Sequence, residues 1–450
     1  MKIFDNRTAA VVNWGRRIAW TALFMISAVL TPGFTARAAE YYVDPATGSM
    51  SNPGTSDSPW STLQAVFSAN KTFAGGDVIL LRTGYHGYPQ IKGYNSDEVY
   101  IQPDTDAYPT VRKLTVRTAA QWVISGLDIC PANVGTVAYD TGNLIEIQSS
   151  CSYITLQNCL IRGAESTADW AQADWAARLG TAVMVRGPYS TIANNYLLNV
   201  KFGIQVLKSA GNSLVSRNTI REFSNDGMRG LADYCTFEYN TVMNCHTSDA
   251  NHDDGFQSWS RGADGSVGTG TVYNVTLRGN IFLSHTDPNQ PFPGHMQGIG
   301  CFDGKFENWV IENNIVSSGT YHGIALYGAI NCLIVNNTVV ENPVDGYIAR
   351  VPWIRVTSHK NGTPSTGNIV RNNLTSRVNC TAGIGAIDYN LESRDYGAYF
   401  VDYNNFDFSL LETAPAVDAG TTSDAPAIDI GERPRSEPYD VGAFEYVLPY

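Results

Sequence analysis

The chain has 450 residues, of which only 16% are charged and 41 are glycine, and it carries a formal net charge of −12 at pH 7. That acidity argues against nucleic acid and anionic membranes as partners, but an acidic polysaccharide can still be held in a local basic cleft. Abundant turn formers and scarce Lys-rich helical stretches point to an all-β fold. With no linker or break in composition, a chain this long fits a repeat architecture, in which each unit contacts only its neighbours.

At the N-terminus, Arg16 and Arg17 precede an apolar run from Ile18 to Leu30, and Ala36-Arg37-Ala38 follows. Basic, apolar and small residues in that order predict a signal peptide over 1–38, leaving a single exported domain over 39–450 in the periplasm or outside the cell. The apolar run is too short for a membrane span. Eight cysteines are too few for a disulfide scaffold in a chain of this length, and no two have the spacing of a zinc site. Cys151 with Cys159, or Cys235 with Cys245, are close enough to pair after export. The alternative is that they fill space as small apolar side chains.

From residue 154 onward two signals alternate. The first is a short strand ending in Asn, at Asn158, Asn195, Asn218, Asn240, Asn280, Asn314, Asn337 and Asn373. The steps 195 to 218 to 240 and 314 to 337 mark single coils, and 240 to 280 marks a coil with an inserted loop. Asn suits a sharp corner because it tolerates the left-handed region and can hydrogen-bond its stacked equivalent. The second signal is a glycine before a short apolar strand, at Gly180, Gly203, Gly227, Gly255, Gly298, Gly323 and Gly346. Turn residues recurring at this period between period-2 strands predict a β-solenoid, a right-handed parallel β-helix.

Tyr41-Tyr42-Val43-Asp44-Pro45, Ser51-Asn52-Pro53-Gly54-Thr55 and Pro59-Trp60-Ser61-Thr62-Leu63-Gln64 resemble the opening of bacterial pectate-lyase-like β-helix proteins. Gly76-Asp77-Val78-Ile79-Leu80-Leu81 is similar to their first coil. Pro426-Ala427-Ile428-Asp429 and Asp440-Val441-Gly442-Ala443-Phe444-Glu445 resemble their closing segment. The resemblance implies the fold and a secreted, carbohydrate-active setting. It does not select a reaction, because the superfamily holds lyases, hydrolases, epimerases and non-catalytic members.

Stacking the coils on their glycines lines up Phe202, Asp226, Asp254, Gln297, His322 and Asp345 in one column, about 4.8 Å per step. The densest polar run, Asn251-His252-Asp253-Asp254-Gly255-Phe256-Gln257, joins that column. Carboxylates this close are costly unless one is protonated, paired or metal-bound, so one becomes an acid beside an ionised partner. Glycoside hydrolysis uses such a pair, and cleavage of a polysaccharide by Asp254, Asp253 and Asp226 is the leading expectation. The plainer alternative makes Asp226, Asp254 and Asp345 turn residues bonded to the backbone.

The order Asn225-Asp226-Gly227, Asp253-Asp254, His322-Gly323 and Arg350 resembles the active-site order of polygalacturonases, with an extra coil at 295–301 and no Arg-Ile-Lys signature. That resemblance implies Asp254 or Asp253 as acid, Asp226 as activator of water, His322 as support and Arg350 as the carboxylate clamp. The extra coil supplies His295 as a candidate base and Gln297 as a polar contact. His252, Gln257 and Trp259 complete the expected binding set, and the loops 261–271 and 285–293 are expected to wall the groove.

Elimination or C5-epimerisation of a uronate polymer is the rival reading. Lys201 and Arg229 would then neutralise the carboxylate and abstract the proton, and Asp226, Asp253 and Asp254 would offer ligands to Ca²⁺. A third reading is a non-catalytic sugar-binding solenoid that stacks sugars on Trp259, Phe256 and Tyr321.

Overall fold

The computed structural model describes residues 38–135, 137–248, 252–344, 350–381 and 383–448. The export segment expected over 1–38 lies outside them except for Ala38, as do Asn251, Asp345 and Gly346. No helix among the described residues is long and apolar enough to cross a membrane.

Short parallel strands from successive coils pair in register. One twelve-stranded sheet runs from Gly84–Tyr85 to Leu391–Glu392, and the other faces merge through the long bent strands Gln90–Pro103 and Leu114–Ser125. The interior is a continuous aliphatic and aromatic stack, because in each strand every second residue points inward. A short helix, α1 (Leu63–Ser68), buries Leu63, Val66 and Phe67 over the N-terminal end of that stack. Residues 396–448 fold back instead along the outside of the twelve-stranded sheet. There Phe400, Phe408 and Phe444 pack with Met243, Leu283, Ile315, Val340 and Leu374.

The corner asparagines form the expected ladder. Asn195, Asn218, Asn240, Asn280, Asn314, Asn337, Asn373 and Asn390 follow one another. Each Oδ1 from Asn218 on accepts both the backbone N–H and the Nδ2 of the Asn one coil before, at 2.9–3.1 Å. Asn240 bonds Asn280 directly, so the long interval between them is one coil with an insertion. The left-handed residue is the one before the ladder position, as at Asn194 (φ 55°), Arg217 (56°) and Asn313 (54°). Asn158 is therefore the left-handed residue (φ 55°) of its corner rather than a rung, and Cys159 stands in the ladder, donating its N–H to Asn195 Oδ1.

The second signal has a different cause. A Cβ at Gly227, Gly255, Gly298 or Gly323 would lie 2.3 Å from Val242, 2.5 Å from Phe282, 2.4 Å from Val316 or 2.2 Å from Val339 respectively. These glycines let one strand approach the side chains of the neighbouring sheet. At Gly298 the Cβ would also sit 2.2 Å from the carbonyl oxygen of Gly323, which is backbone and cannot step aside. We expect Gly298→Ala to lose about 1–3 kcal/mol of stability, read as a lower urea midpoint. An unchanged midpoint would show that the corner relaxes.

All eight cysteines are free, seven buried and Cys380 half-buried, so neither of the two possible disulfides forms. Cys151 Sγ donates to the Val116 carbonyl and Cys235 Sγ lies against the Ala210 carbonyl, each inside its coil. They are small fillers, the alternative weighed above.

Candidate active site

Six strands carry the site: β1 (Phe202–Val206), β2 (Met228–Gly230), β3 (Asp254–Trp259), β4 (Gln297–Asp303), β5 (His322–Tyr327) and β6 (Trp353–Thr357). Their inward residues Ile204, Met228, Phe256, Ile299, Ile324 and Ile354 lock the register. The next position faces out and aligns Gln205, Arg229, Gln257, Gly300, Ala325 and Arg355.

The column expected at the strand starts forms. The Asp226 carbonyl accepts from Gly203 N, the Asp254 carbonyl from Gly227 N, and Asp254 pairs with Gln297. After His322 the partner is Trp353, not Asp345. The chain between Thr338–Glu341 and β6 is an insertion, which displaces the glycine-based count by several residues.

Asp226 and Asp254 are buried, and each is covered by its own partner. Arg229 Nε donates to Asp226 Oδ2, and its guanidinium lies 4.4 Å from the Phe202 ring and 5.0 Å from the Trp259 ring. Asp254 N donates to Asp226 Oδ1 at 3.2 Å, which ties the two coils together. Asp254 Oδ2 accepts from Gln257 Nε2 at 2.8 Å and meets His252 Nδ1 at 3.1 Å, while its Oδ1 has no partner. Burial pushes the Asp254 carboxyl up to about 7, with the Asp226 charge adding to it and His252 and Gln257 opposing. Burial raises Asp226 too, against the pull of Arg229. His252 is half-exposed, and its hydrogen bond to Asp254 raises its pKa.

His322 has the opposite environment. Burial and the neighbouring Arg355 push it down to about 4, so it is neutral near pH 7. Trp353 Nε1, a donor only, donates to its Nδ1 at 3.2 Å, which leaves the proton on Nε2. Rings connect the two histidines: Phe302 lies 6.0 Å from His252 and 4.9 Å from His322.

The other expected residues are distributed around this centre. Gln297 is buried beside Asp254 with its Oε1 unpartnered. His295 stands two residues before Gln297, as His252 stands two before Asp254, and so occupies the matching place one coil on. Lys201 is half-buried just before Phe202. Arg350 lies in the segment leading into β6, outside the outward column. Asp253 turns away from Asp254: its carboxylate bonds the Cys245 thiol, and a Cβ on Gly294 would lie 3.2 Å from its Oδ2.

Consequently Asp226, Asp253 and Asp254 do not converge as the calcium reading requires. Among the described residues no three His, Cys, Asp or Glu side chains group to hold a metal ion. The loop 261–271 is tied to an earlier coil by Lys208 Nζ, which donates to the Arg261 carbonyl at 2.9 Å. The loop 285–293 is pinned through Pro291, whose carbonyl meets His246 Nδ1 at 2.8 Å.

Sequence reasoning missed Arg355. Its guanidinium carbon lies 5.6 Å from the Tyr327 ring and 5.4 Å from the Trp353 ring. The missing signal was register, since the insertion before β6 hid the fact that Arg355 shares a column with Arg229.

The chain is a right-handed parallel β-helix, the fold that the pectate-lyase-like resemblance implied. Residues 114–288 match the family model described as right handed beta helix region. Among solved structures it is similar to pectate lyase Pel9A (17% identity, 90% of this chain and 96% of that one, TM-score 0.49). A rhamnogalacturonan lyase (16%, 81% and 91%, 0.46) and the Dettilon tailspike protein (16%, 71% and 60%, 0.47) are also similar. No curated protein matches the sequence.

Proposed function

We propose that this chain is an exported polysaccharide-degrading enzyme that acts on a uronate-containing polymer by abstracting the proton beside the carboxyl group, with His252 as base. The observation that carries this reading is the His252–Asp254 dyad: a half-exposed imidazole held through Nδ1 by a fully buried carboxylate, one coil from a guanidinium. In elimination, the C5 proton passes to His252 Nε2 and its electron pair forms the C4–C5 double bond. The C4–O bond breaks, and the departing oxygen takes a proton from water. Asp254 orients the ring and stabilises the imidazolium that results. Arg229 and the other cations of the groove offset the negative charge that develops on the uronate.

Paired-aspartate hydrolysis is the weaker reading, because its two carboxyls must reach opposite sides of the scissile bond across about 5–9.5 Å. Asp226 and Asp254 are instead covered by Arg229, Gln257 and His252. One observation keeps hydrolysis in play, since a carboxyl at about 7 suits a general acid. In this proposal residues 1–38 are the removed leader and 39–450 the working domain.

The test is incubation with uronate-containing and neutral polysaccharides, following the ultraviolet absorbance of unsaturated uronate together with reducing ends. We expect both signals to rise together on the uronate polymer. Reducing ends without unsaturation would transfer the assignment to hydrolysis.

A further inference from the structure

Arg355 and Arg377 are unusual in a chain whose acidic residues outnumber its basic ones by 42 to 30. Among the described residues neither side chain makes an ion pair or a hydrogen bond, although Arg229, on the same face, is tied to Asp226. The Arg355 guanidinium carbon lies 5.6 Å from the Tyr327 ring and 5.4 Å from the Trp353 ring, and the Arg377 guanidinium carbon lies 6.0 Å from the Trp353 ring. Arg355 Nε is buried without an acceptor, a condition that costs on the order of 1–3 kcal/mol when nothing relieves it. Asp303, next to Phe302 in the chain, has its carboxylate engaged by Lys360 at 2.7 Å. Two guanidinium groups, Arg355 half-buried and Arg377 exposed, therefore lie by one indole with their hydrogen-bonding edges unspent.

The path from the dyad to this pair is paved with rings. His252, Phe302, His322 and Trp353 follow one another at centroid distances of 6.0, 4.9 and 5.5 Å, and Tyr321, 43% exposed, stacks on Trp353 at 5.0 Å. Sugar rings lay their C–H faces on such surfaces, and a guanidinium fork matches a carboxylate. From β3 to β6 is three strand steps of about 4.8 Å each, so the site lies along the groove and away from the reacting bond.

We propose that Trp353, Arg355 and Arg377 form a carboxylate-binding subsite that grips a second uronate of the polymer whose bond is processed at His252. The proposal rests on the uronate reading above, and it adds where the chain is anchored and that the anchor selects acidic over neutral units. Arg355 supplies the fork, Trp353 the stacking face and Arg377 the second charge. None of the three touches the reacting atoms.

The test is titration calorimetry with the tetramers of galacturonate, mannuronate and guluronate and their carboxyl-reduced neutral forms. The full exported chain carries His252→Ala, so that nothing is turned over. We expect at least one acidic tetramer to bind. Arg355→Gln and Arg377→Gln should each weaken it about tenfold, flatten its salt dependence, and leave the neutral form unchanged. Arg355→Lys keeps the charge without the fork and should fall between, with an unaltered thermal midpoint confirming the fold. Equal affinities in parent and variants, or no acidic tetramer bound by the parent, would overturn the subsite. The elimination assay is independent: binding selectivity without unsaturated product would remove the reaction and keep the subsite, and product without selectivity would do the reverse.

Discussion

On the elimination proposed above, replacing His252 by alanine will lower turnover of the uronate polymer by about two to four orders of magnitude, the usual contribution of a positioned acid or base. Asp254→Asn will also abolish most turnover, for a different reason. The amide is nearly the same shape and keeps an oxygen for Gln257 Nε2, but it cannot stabilise an imidazolium. The pH profile separates the two roles. A base must be neutral to accept a proton, so kcat/KM should rise with pH through the raised pKa of His252. Asp254→Asn removes the hydrogen bond that raises it, so the residual activity should rise at lower pH than in the parent.

Stability moves in the opposite direction to activity. The folded carboxyl of Asp254 titrates at about 7, above its unfolded value of about 3.9. The native state therefore binds that proton more tightly, and stability is withdrawn as pH rises through this window. His252, also raised in the fold, stabilises below its unfolded pKa, and that contribution is likewise lost as pH rises through the folded value. Asp254→Asn removes the first dependence and the largest cause of the second. Its thermal midpoint should therefore gain on the parent's between about pH 4 and pH 7. Full activity in this variant would remove Asp254 from the mechanism, and a midpoint difference independent of pH would remove the buried charge as its cause.

The repeat was legible because its two markers answer to separate physical demands that both leave a residue type behind. A rung needs a side chain that donates twice and accepts twice along the stack, as Asn314 does and as only the amides Asn and Gln can, and a close corner tolerates only Gly. The column from Phe202 to His322 followed from that register alone. What stayed hidden was whatever insertions or side-chain direction decide. The count failed at Trp353 because the chain before β6 departs from the period. Asp253 and Asp254 are adjacent in sequence, yet they face opposite ways at the start of β3, so a cluster in the sequence became a dyad and a separate carboxylate. The end of the chain also gave no hint that Phe400, Phe408 and Phe444 would lie along the outer face of a sheet.

Asn314→Ala is expected to be the most destabilising single change in the frame, at about 2–5 kcal/mol. Asn314 is wholly buried. Its Oδ1 is the acceptor for Asn280 N and Nδ2, and its Nδ2 donates to the Leu277 carbonyl and to Asn337 Oδ1. Alanine leaves these groups unpaired where water does not reach, and the full desolvation cost then applies. Asn314→Asp restores the acceptor but not the donors and places a charge in the stack, so it should not rescue. Asn390 is the control: it closes the ladder on a half-exposed coil and serves only Asn373 and the Val370 carbonyl. Water can replace much of what Asn390→Ala removes, and its loss should stay near ~1 kcal/mol. Urea midpoints for both variants decide the matter, and equal losses would show that the ladder only accompanies the strand pairing. The comparison also bears on the groove, because the stacking that fixes Asn280, Asn314 and Asn337 one strand step apart also sets the spacing of β3, β4 and β5. A chain that loses this rung should keep the residues of its site and lose their alignment.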